Sequence, residues 1–595
     1  MGFSERDKRI LENFVTSADD QIYAIRNTVP SEVFGAFGSY FSRNPEDFRF
    51  HLLRAIKGQI TKNEKSIPEY DLDWLAECGD VEELRNFVYE TERNRIRENG
   101  GILDIHASDE IMGIIDRSLR LVDPSKAIER GLRRSRDFFE KWYGKYGHRS
   151  IANMVWIPMV ANNVSQLFAR ELAYEQLAFF IEQSTRYVKW GRESFMFDRD
   201  VMQSPEGKTM KHALEFATDN YFILSDIACD FFENRNPFDQ WLEKQSDEMK
   251  TVEEKVQRAT YEREIKGAAL DVSRFLTTQA CQTNIAFILD ARSAEFDNST
   301  LKKHPLREIR TLVEVLERNA RQIVPSLLKY TEANEYYGDK LNGSDGYYEM
   351  DEVRSFGKGV DVISFDKDAL DKSLANIMRR HGTGGTFRNR YERVKGMSFE
   401  RKMQILRRAV RDRGRYDEWV ETDEDFDLIK IAFEIRSDIG AIRDWRRHQK
   451  FDRGEPGIYT LDNGVHRPDI LVDLGREAED TFDRTIEVLH DAEIKIRRHF
   501  PFQAQYVVPM AAMHSLTMSG GLDQVQYLLW TRTTPEGNFS YREDAFNLAE
   551  AIAKVHPWLL GYEKYPEGRS FRQVYDEAPL KGLLRLQTGE TTLHS

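Results

Sequence analysis

The chain has 595 residues, 40% hydrophobic, 12% aromatic and 31% charged, and a formal net charge of -14. That length is more than one ordinary core accommodates and predicts two or more domains; the acidic balance argues against a general nucleic-acid binder, which needs a basic surface to replace counterions. No apolar run reaches transmembrane length, and the opening Met-Gly-Phe-Ser-Glu-Arg-Asp-Lys-Arg has no cleavable-signal pattern, so a cytoplasmic protein without membrane or nucleic-acid partners is expected.

Residues 1–130 read as a helical N-terminal extension, with helical periodicity around Lys8–Ala24, Phe48–Ile60 and Val81–Ile96. Met1–Asn27 suits a packing extension or an arm against a partner subunit. Residues 131–335 form the first predicted domain, within which Ser135–Tyr146 reads as a helix and the charged stretch Glu243–Arg263 as one long solvated helix. Residues 336–353 are rich in Gly, Asn, Asp and Ser and read as a linker.

The second predicted domain spans 354–595. Val360–Phe365 alternates like a strand and Asp366–Arg379 reads as a helix. The following His381-Gly-Thr-Gly-Gly-Thr lacks the Gly-Lys-Ser/Thr ending of a phosphate loop and follows a helix rather than a strand, so it reads as a plain loop. Arg407-Arg408 and Arg411-Asp412 suit a solvated helix face. Gln503–Met518 is expected to be helical, kinked or restarted at Pro509, and Tyr541–Val555 helical. Cys78, Cys229 and Cys281 lie too far apart for a disulfide framework or zinc site, and no metal is expected.

The chemistry concentrates in a few segments. Glu182-Gln183-Ser184-Thr185-Arg186-Tyr187 combines a carboxylate, a hydroxyl, a guanidinium and a phenol. On a helix Glu182 and Arg186 could simply form a surface ion pair; the mix also suits a nucleotide. His148-Arg149-Ser150 and the mostly apolar or small Ile151–Arg170 precede it. In the second half, Ile431–Gln449 ends in Arg447-His448-Gln449.

The order His-x-Ser, apolar run, Glu-x-Ser-x-Arg-Tyr resembles the core of the flavin-dependent thymidylate synthases, and Ile431–Gln449 resembles their strand and helix ending in Arg-His-Arg. Each copy is incomplete. The Arg-His-Arg position of the first half holds Tyr174-Glu175-Gln176, and the second half has Gly457 and Tyr459 where Ser and Arg are expected after Glu455. Asp290-Ala291-Arg292-Ser293 resembles the family's Asn-Ala-Arg-Ser and Arg274 its nucleotide arginine, whereas the second half has Gly521-Leu522-Asp523 and Gln505 at those places. Conversely Arg532 resembles an arginine for which the first half has only Thr300-Leu301-Lys302-Lys303. The losses are complementary.

The resemblance implies two tandem α+β domains, each an antiparallel sheet with long helices. It implies reductive methylation of dUMP to dTMP with FAD as cofactor and NADPH and methylenetetrahydrofolate as co-substrates. A homodimer would mimic the family's homotetramer and build composite sites from complementary halves. By resemblance Glu182, Ser184, Arg186, Arg274, Asp444 and Arg447 bind substrate, and His148, Ser150, Glu182, Arg292, Arg447, His448 and Gln449 hold the flavin. Arg532 is the catalytic candidate, a fixed cation favouring negative charge on the pyrimidine. His148 equally suits a cap or core role, and Arg443 and Arg170 suit helix ion pairs. Gln449, Asp444 and Asp290 depart from the family's residues and motivate an alternative: a catalytically degenerate flavin- or nucleotide-binding relative with a sensor or structural role. Methyl transfer to another pyrimidine would use the same residues.

Overall fold

The computed structural model describes residues 3–12, 14–27, 45–56, 152, 155–191, 194–325, 327–336, 355–382, 385–409, 426–533 and 537–560. In chain order its main elements are α1 (Glu5–Leu11), β1 (Ile22–Ala24), α2 (Phe48–Ile56), β2 (Trp156–Ser165), α3 (Gln166–Tyr174), β3 (Phe179–Glu182), α4 (Glu206–Arg235), α5 (Glu254–Ser273), β4 (Gln282–Asp290), α6 (Ala291–Leu301), α7 (Arg307–Ile323), β5 (Gly359–Phe365), α8 (Ala369–Arg380), β6 (Lys430–Asp438), α9 (Ile439–Arg446), β7 (Asp452–Gly454), α10 (Arg476–Arg497), β8 (Met513–Gly521), α11 (Leu522–Arg532) and α12 (Phe539–Val555). The architecture is mixed α/β. Among the described residues two four-stranded sheets have the same order, β1-β2-β4-β3 and β5-β6-β8-β7, and their strand pairings are antiparallel.

The chain divides into two compact units, Met1–Asp198 with Cys281–Tyr348, and Arg199–Ala280 with Glu349–Ser595. The span 131–335 therefore contributes to both.

In the first unit β2 pairs centrally with β1 and β4, and α7 packs on β1. Asn319 of α7 donates to the Ile22 carbonyl at 2.8 Å and accepts from the Thr16 hydroxyl at 2.6 Å, so the short edge strand is tied to the helix by side-chain bonds. Leu11, Val15, Tyr23, Phe48 and Leu52 close a core over Val160 and Ala286. This corrects the expected helix over Lys8–Ala24, since β1 interrupts it. After α1 the Ser17 hydroxyl accepts from the amides of Asp19 and Asp20, turning the chain into β1. The expected helices over 81–96 and 135–146 lie outside the described residues, as do most of the linker and Arg411-Asp412.

In the second unit β6 alternates as its sequence requires. Ile431, Phe433 and Ile435 point into the core with Leu516 and Met518 of β8, and Trp445, Phe451, Phe546 and Ile552 complete it. Each such side chain contributes roughly 1.5–3 kcal/mol by leaving water. Gly520 is required here, because a Cβ on it would lie 2.5 Å from the Phe451 ring. Beside the sheet, α4 packs on α5 and α10. The expected single helix over Glu243–Arg263 is broken at Val252-Glu253, with Ser246 capping a short turn over Asp247–Thr251 before α5 begins. Among the described residues no helix is long and apolar enough to cross a membrane.

The helix expected over Gln503–Met518 is instead a 3-10 turn over Gln503–Val507 followed by an extended segment and β8. The reason is tertiary. Residues 506–511 pair with 275–280 around a bridge between Thr278 and Pro509, and this pairing supplies the backbone partners a helix would have supplied locally.

Candidate functional site

Asp438 ends β6 and starts α9, its carboxylate accepting from the Ala441 amide at 2.8 Å. The eight residues of α9 then present Arg443 and Asp444, and the chain leaves the helix through Arg447, His448 and Gln449. Arg274, from the 3-10 turn after α5, and Arg532, at the end of α11, reach the same place. Residues far apart in sequence thus meet within the second unit.

Asp444 is the common point. One carboxylate oxygen lies 3.9 Å from Arg274, and the other 3.5 Å from Arg447 and 4.0 Å from Arg532. Burial alone would raise its carboxyl, but the charges of Arg447, Arg532, Arg274 and Arg443 outweigh burial and hold it below the usual carboxylate range. The acid that departs from the family's residue therefore sits inside an excess of positive charge.

Arg532 is buried and well tied. Its Nε donates to Nε2 of His448 at 2.8 Å, one Nη donates to the Asp444 carbonyl at 2.7 Å, and the guanidinium lies 5.3 Å from the centre of the Tyr541 ring. His448 accepts at Nε2 and so carries its proton on Nδ1. Burial, with Arg532, Arg447 and Arg453 nearby, holds this imidazole well below its ordinary value. Burial also draws Arg532 down from its ordinary value.

Arg274 is different. It is buried, yet its Nε and one Nη have no hydrogen-bond partner. A Cβ on Gly440, the second residue of α9, would lie 3.4 Å from that Nη and 3.6 Å from Nε. The glycine leaves the guanidinium room beside the helix start. Buried charged donors are costly to leave unsatisfied, and an anionic group suits both the donors and the surrounding arginines.

Of the expected first-half residues, Arg274 lies in the second unit, whereas Glu182, Ser184, Arg186 and Arg292 lie in the first. Glu182 ends β3, half-buried, with Ile285 of β4 as its partner. The chain then turns: the Ser184 hydroxyl accepts from the Arg186 amide at 3.2 Å and the Ser184 carbonyl from the Val188 amide. The helix that would have made Glu182 and Arg186 a surface ion pair is absent from this stretch. Gln183 is pinned to Asn284 by bonds of 2.8 and 2.9 Å, which fixes the segment to the sheet. Arg186 lies over Tyr187 at 6.0 Å. Arg292 is exposed in the first turn of α6. Asp290 caps that helix, accepting from the Arg292 and Ser293 amides and from the Ser293 hydroxyl, so its carboxylate is used structurally. His148 and Ser150 lie outside the described residues.

Gln449 is half-buried, its amide donating to the Arg447 carbonyl. Two contributors escaped the sequence reading. Gly440 could have been noticed as a glycine just inside an Asp-capped helix; Tyr541, one turn into an amphipathic helix, carries no local signal.

Residues 109–326 match the family model described as thymidylate synthase complementing protein. A UPF0159 protein of Chlamydia muridarum is 23% identical over 580 residues, covering 95% of each chain. A flavin-dependent thymidylate synthase of Clostridium tetani is 23% identical over 187 residues, 31% of this chain and 66% of that one. Among solved structures, a UMP/dUMP methylase PolB from Streptomyces cacaoi bound with 5-Br dUMP aligns at 15% identity and a TM-score of 0.28 over 34% of this chain and 93% of that one. The match over residues 109–326 supports a member of the thymidylate synthase complementing protein family.

Proposed function

We propose that the chain is an FAD-dependent thymidylate synthase, methylating dUMP to dTMP with methylenetetrahydrofolate and NADPH. The observation that carries this is the meeting of Arg274, Arg447 and Arg532 around Asp444, with two donors of Arg274 unmet. That set suits a nucleoside monophosphate: a guanidinium fork for the phosphate, and a second fixed cation for charge developing on the pyrimidine.

The residues also fit a flavin. Arg447 has an exposed guanidinium, and His448 offers its Nδ1–H because Nε2 is taken by Arg532. The flavin would supply the hydride chemistry of the reductive methylation. The chain's own part is to hold it through Arg447, His448 and Gln449, with Glu182, Arg292, His148 and Ser150 as further contacts. Arg274, Ser184 and Arg186 bind the nucleotide, Asp444 sets the arginines, and Arg532 stabilises negative charge on the ring. In this reading the repeated strand order reflects a tandem duplication, and a homodimer holds two composite sites, each taking Glu182, Ser184 and Arg186 from one chain and Arg447, His448 and Arg532 from the other.

A degenerate binding relative is the second reading, favoured by one observation: Gln505 and Tyr459, at the second half's nucleotide-arginine positions, are hydrogen-bonded to each other at 3.0 Å. Such a relative would bind dUMP tightly without forming dTMP when reduced and supplied with folate.

The visible absorption spectrum of the purified protein, before and after dUMP, tests the proposal. Oxidised-flavin bands that shift with dUMP are expected; a colourless protein that takes up no added FAD overturns it.

A further inference from the structure

The pairing of 275–280 with 506–511 has internal two-fold symmetry. The Gln279 amide donates to the Val508 carbonyl and the Met510 amide to the Thr277 carbonyl; the Ala280 amide donates to the Tyr506 carbonyl and the Ala511 amide to the Phe275 carbonyl. Adding 231 converts one member of each pair into the other, since 279 and 277 become 510 and 508, and 280 and 275 become 511 and 506. The bridge between Thr278 and Pro509 maps onto itself by the same shift. Arg274 and Gln505 immediately precede the two segments and are equivalent positions, 274 plus 231 being 505.

Their surroundings are opposite. Arg274 is buried with Nε and one Nη unpartnered, beside Asp444, on which the charges of four arginines act. Gln505 is buried and bonded at both ends: its oxygen accepts from the Tyr459 amide at 3.0 Å and its nitrogen donates to the Phe502 carbonyl at 3.0 Å. Tyr459, fully buried, accepts from Arg446 at its hydroxyl at 2.8 Å and packs on His514 with ring centres 4.6 Å apart. Arg446 is held in two bonds of 2.9 and 2.8 Å by Glu455. Gln505 is neutral, and both polar atoms of its side chain are engaged with the chain.

We infer that the two equivalent positions have divided their roles: Arg274 receives an anionic ligand, and Gln505 is a permanent brace that latches the 455–459 segment to the two-fold strand pair. The ligand class, a nucleoside monophosphate, rests on the proposed function; the brace does not. A satisfied buried network rigidifies its surroundings, whereas an arginine with open donors is a ligand position that costs stability when empty.

Thermal melting of the whole protein with and without dUMP tests this. Gln505→Ala is expected to lower the midpoint of the ligand-free protein by roughly 3–6 °C and to keep the rise that dUMP produces. Tyr459→Phe, which removes the hydroxyl that accepts from Arg446 and keeps the amide bonded to Gln505, is expected to lower it by less. Arg274→Gln, which makes the two positions alike, is expected to leave the ligand-free midpoint unchanged or higher and to abolish the dUMP effect. An unchanged midpoint in Gln505→Ala, or loss of the dUMP effect in that variant alone, overturns the brace. If wild-type protein shows no dUMP effect the nucleotide reading fails, and the ligand-free midpoints of Gln505→Ala and Arg274→Gln still decide the inference.

Discussion

Arg532 donates through Nε to Nε2 of His448 at 2.8 Å, so the chain's catalytic candidate and its flavin-contact candidate form one hydrogen-bonded unit. The bond needs a neutral imidazole, which burial and the neighbouring guanidinium groups enforce. It also needs the planar fork, because the same head group reaches the Asp444 carbonyl through Nη.

Lysine at 532 would keep the charge and lose this geometry. Arg532→Lys and Arg532→Ala are both expected to lower kcat for dTMP formation about 10²–10³-fold, the scale of removing one fixed charge-stabilising donor. Near-normal turnover in Arg532→Lys would show that charge alone suffices.

Asp444 lies within 4.0 Å of three arginines and is almost fully buried. Asp444→Asn leaves those charges without their counter-ion and is expected to cost on the order of 3 kcal/mol of stability. An anion should then substitute for the carboxylate. The rise in melting temperature produced by dUMP is expected to be larger in the variant than in wild type; a smaller rise would mean that Asp444 itself contacts the nucleotide favourably.

A methyl group on Gly440 would meet the Asp438 carboxylate at 3.0 Å and the Arg274 guanidinium at 3.4 Å. Gly440→Ala should gain about 1 kcal/mol of helix propensity and lose about as much by crowding the cap, leaving stability near wild type. The shifted Arg274 should weaken dUMP binding roughly tenfold, about 1.4 kcal/mol. Calorimetric titration of both proteins checks this, and an unchanged Kd would place the nucleotide away from Arg274.

How much of this was legible in the sequence differs by element. α8 and α12 follow from helical periodicity, because each buries one face of a local pattern; β5 follows from alternation, with Val360 and Val362 half-buried against the core, and β6 through the family resemblance. The run Val508–Ala512 misled, since Pro-Met-Ala-Ala suits a helix until 275–280 supplies partners from a distant segment. Arg447, His448 and Arg532 were legible as motif residues; that Asp444 gathers them was not, because it depends on Arg274 arriving from another segment of the chain. On a helix Glu182 and Arg186 could have formed a surface ion pair, but β3 and the bonds of Gln183 to Asn284 hold the start of the segment to the sheet and the chain turns at Ser184.

His304, in the first unit, reports on acid stability. Its Nδ1 accepts from the Leu306 amide at 3.1 Å, and burial, with Arg170 and Arg310 adding to it against Glu171, draws the imidazole from 6.5 down to about 4. The unfolded chain binds a proton there more readily than the folded one. The contribution is therefore complete above pH 6.5 and is lost progressively as pH falls towards 4, amounting to about 3 kcal/mol over that window. Denaturant unfolding between pH 7 and 4 is expected to show a steeper loss in wild type than in His304→Gln, which keeps an acceptor but cannot titrate. Parallel slopes would assign the acid sensitivity elsewhere.

Arg186→Ala and Arg532→Ala are each expected to leave about one per cent of turnover or less, and mixing them separates sites shared between chains from sites within one chain. If each site takes Arg186 from one chain and Arg532 from the other, a mixed dimer has one site with both substitutions and one with neither. Random reassortment makes about half of the dimers mixed, so the mixture should regain about one quarter of wild-type activity. With both arginines drawn from a single chain every site stays damaged and no activity returns. Dissociation and reassembly of the two variants, followed by the dTMP assay, distinguishes these outcomes, and a mixture that remains inactive although mixed dimers are shown to form would remove the composite arrangement from the proposal.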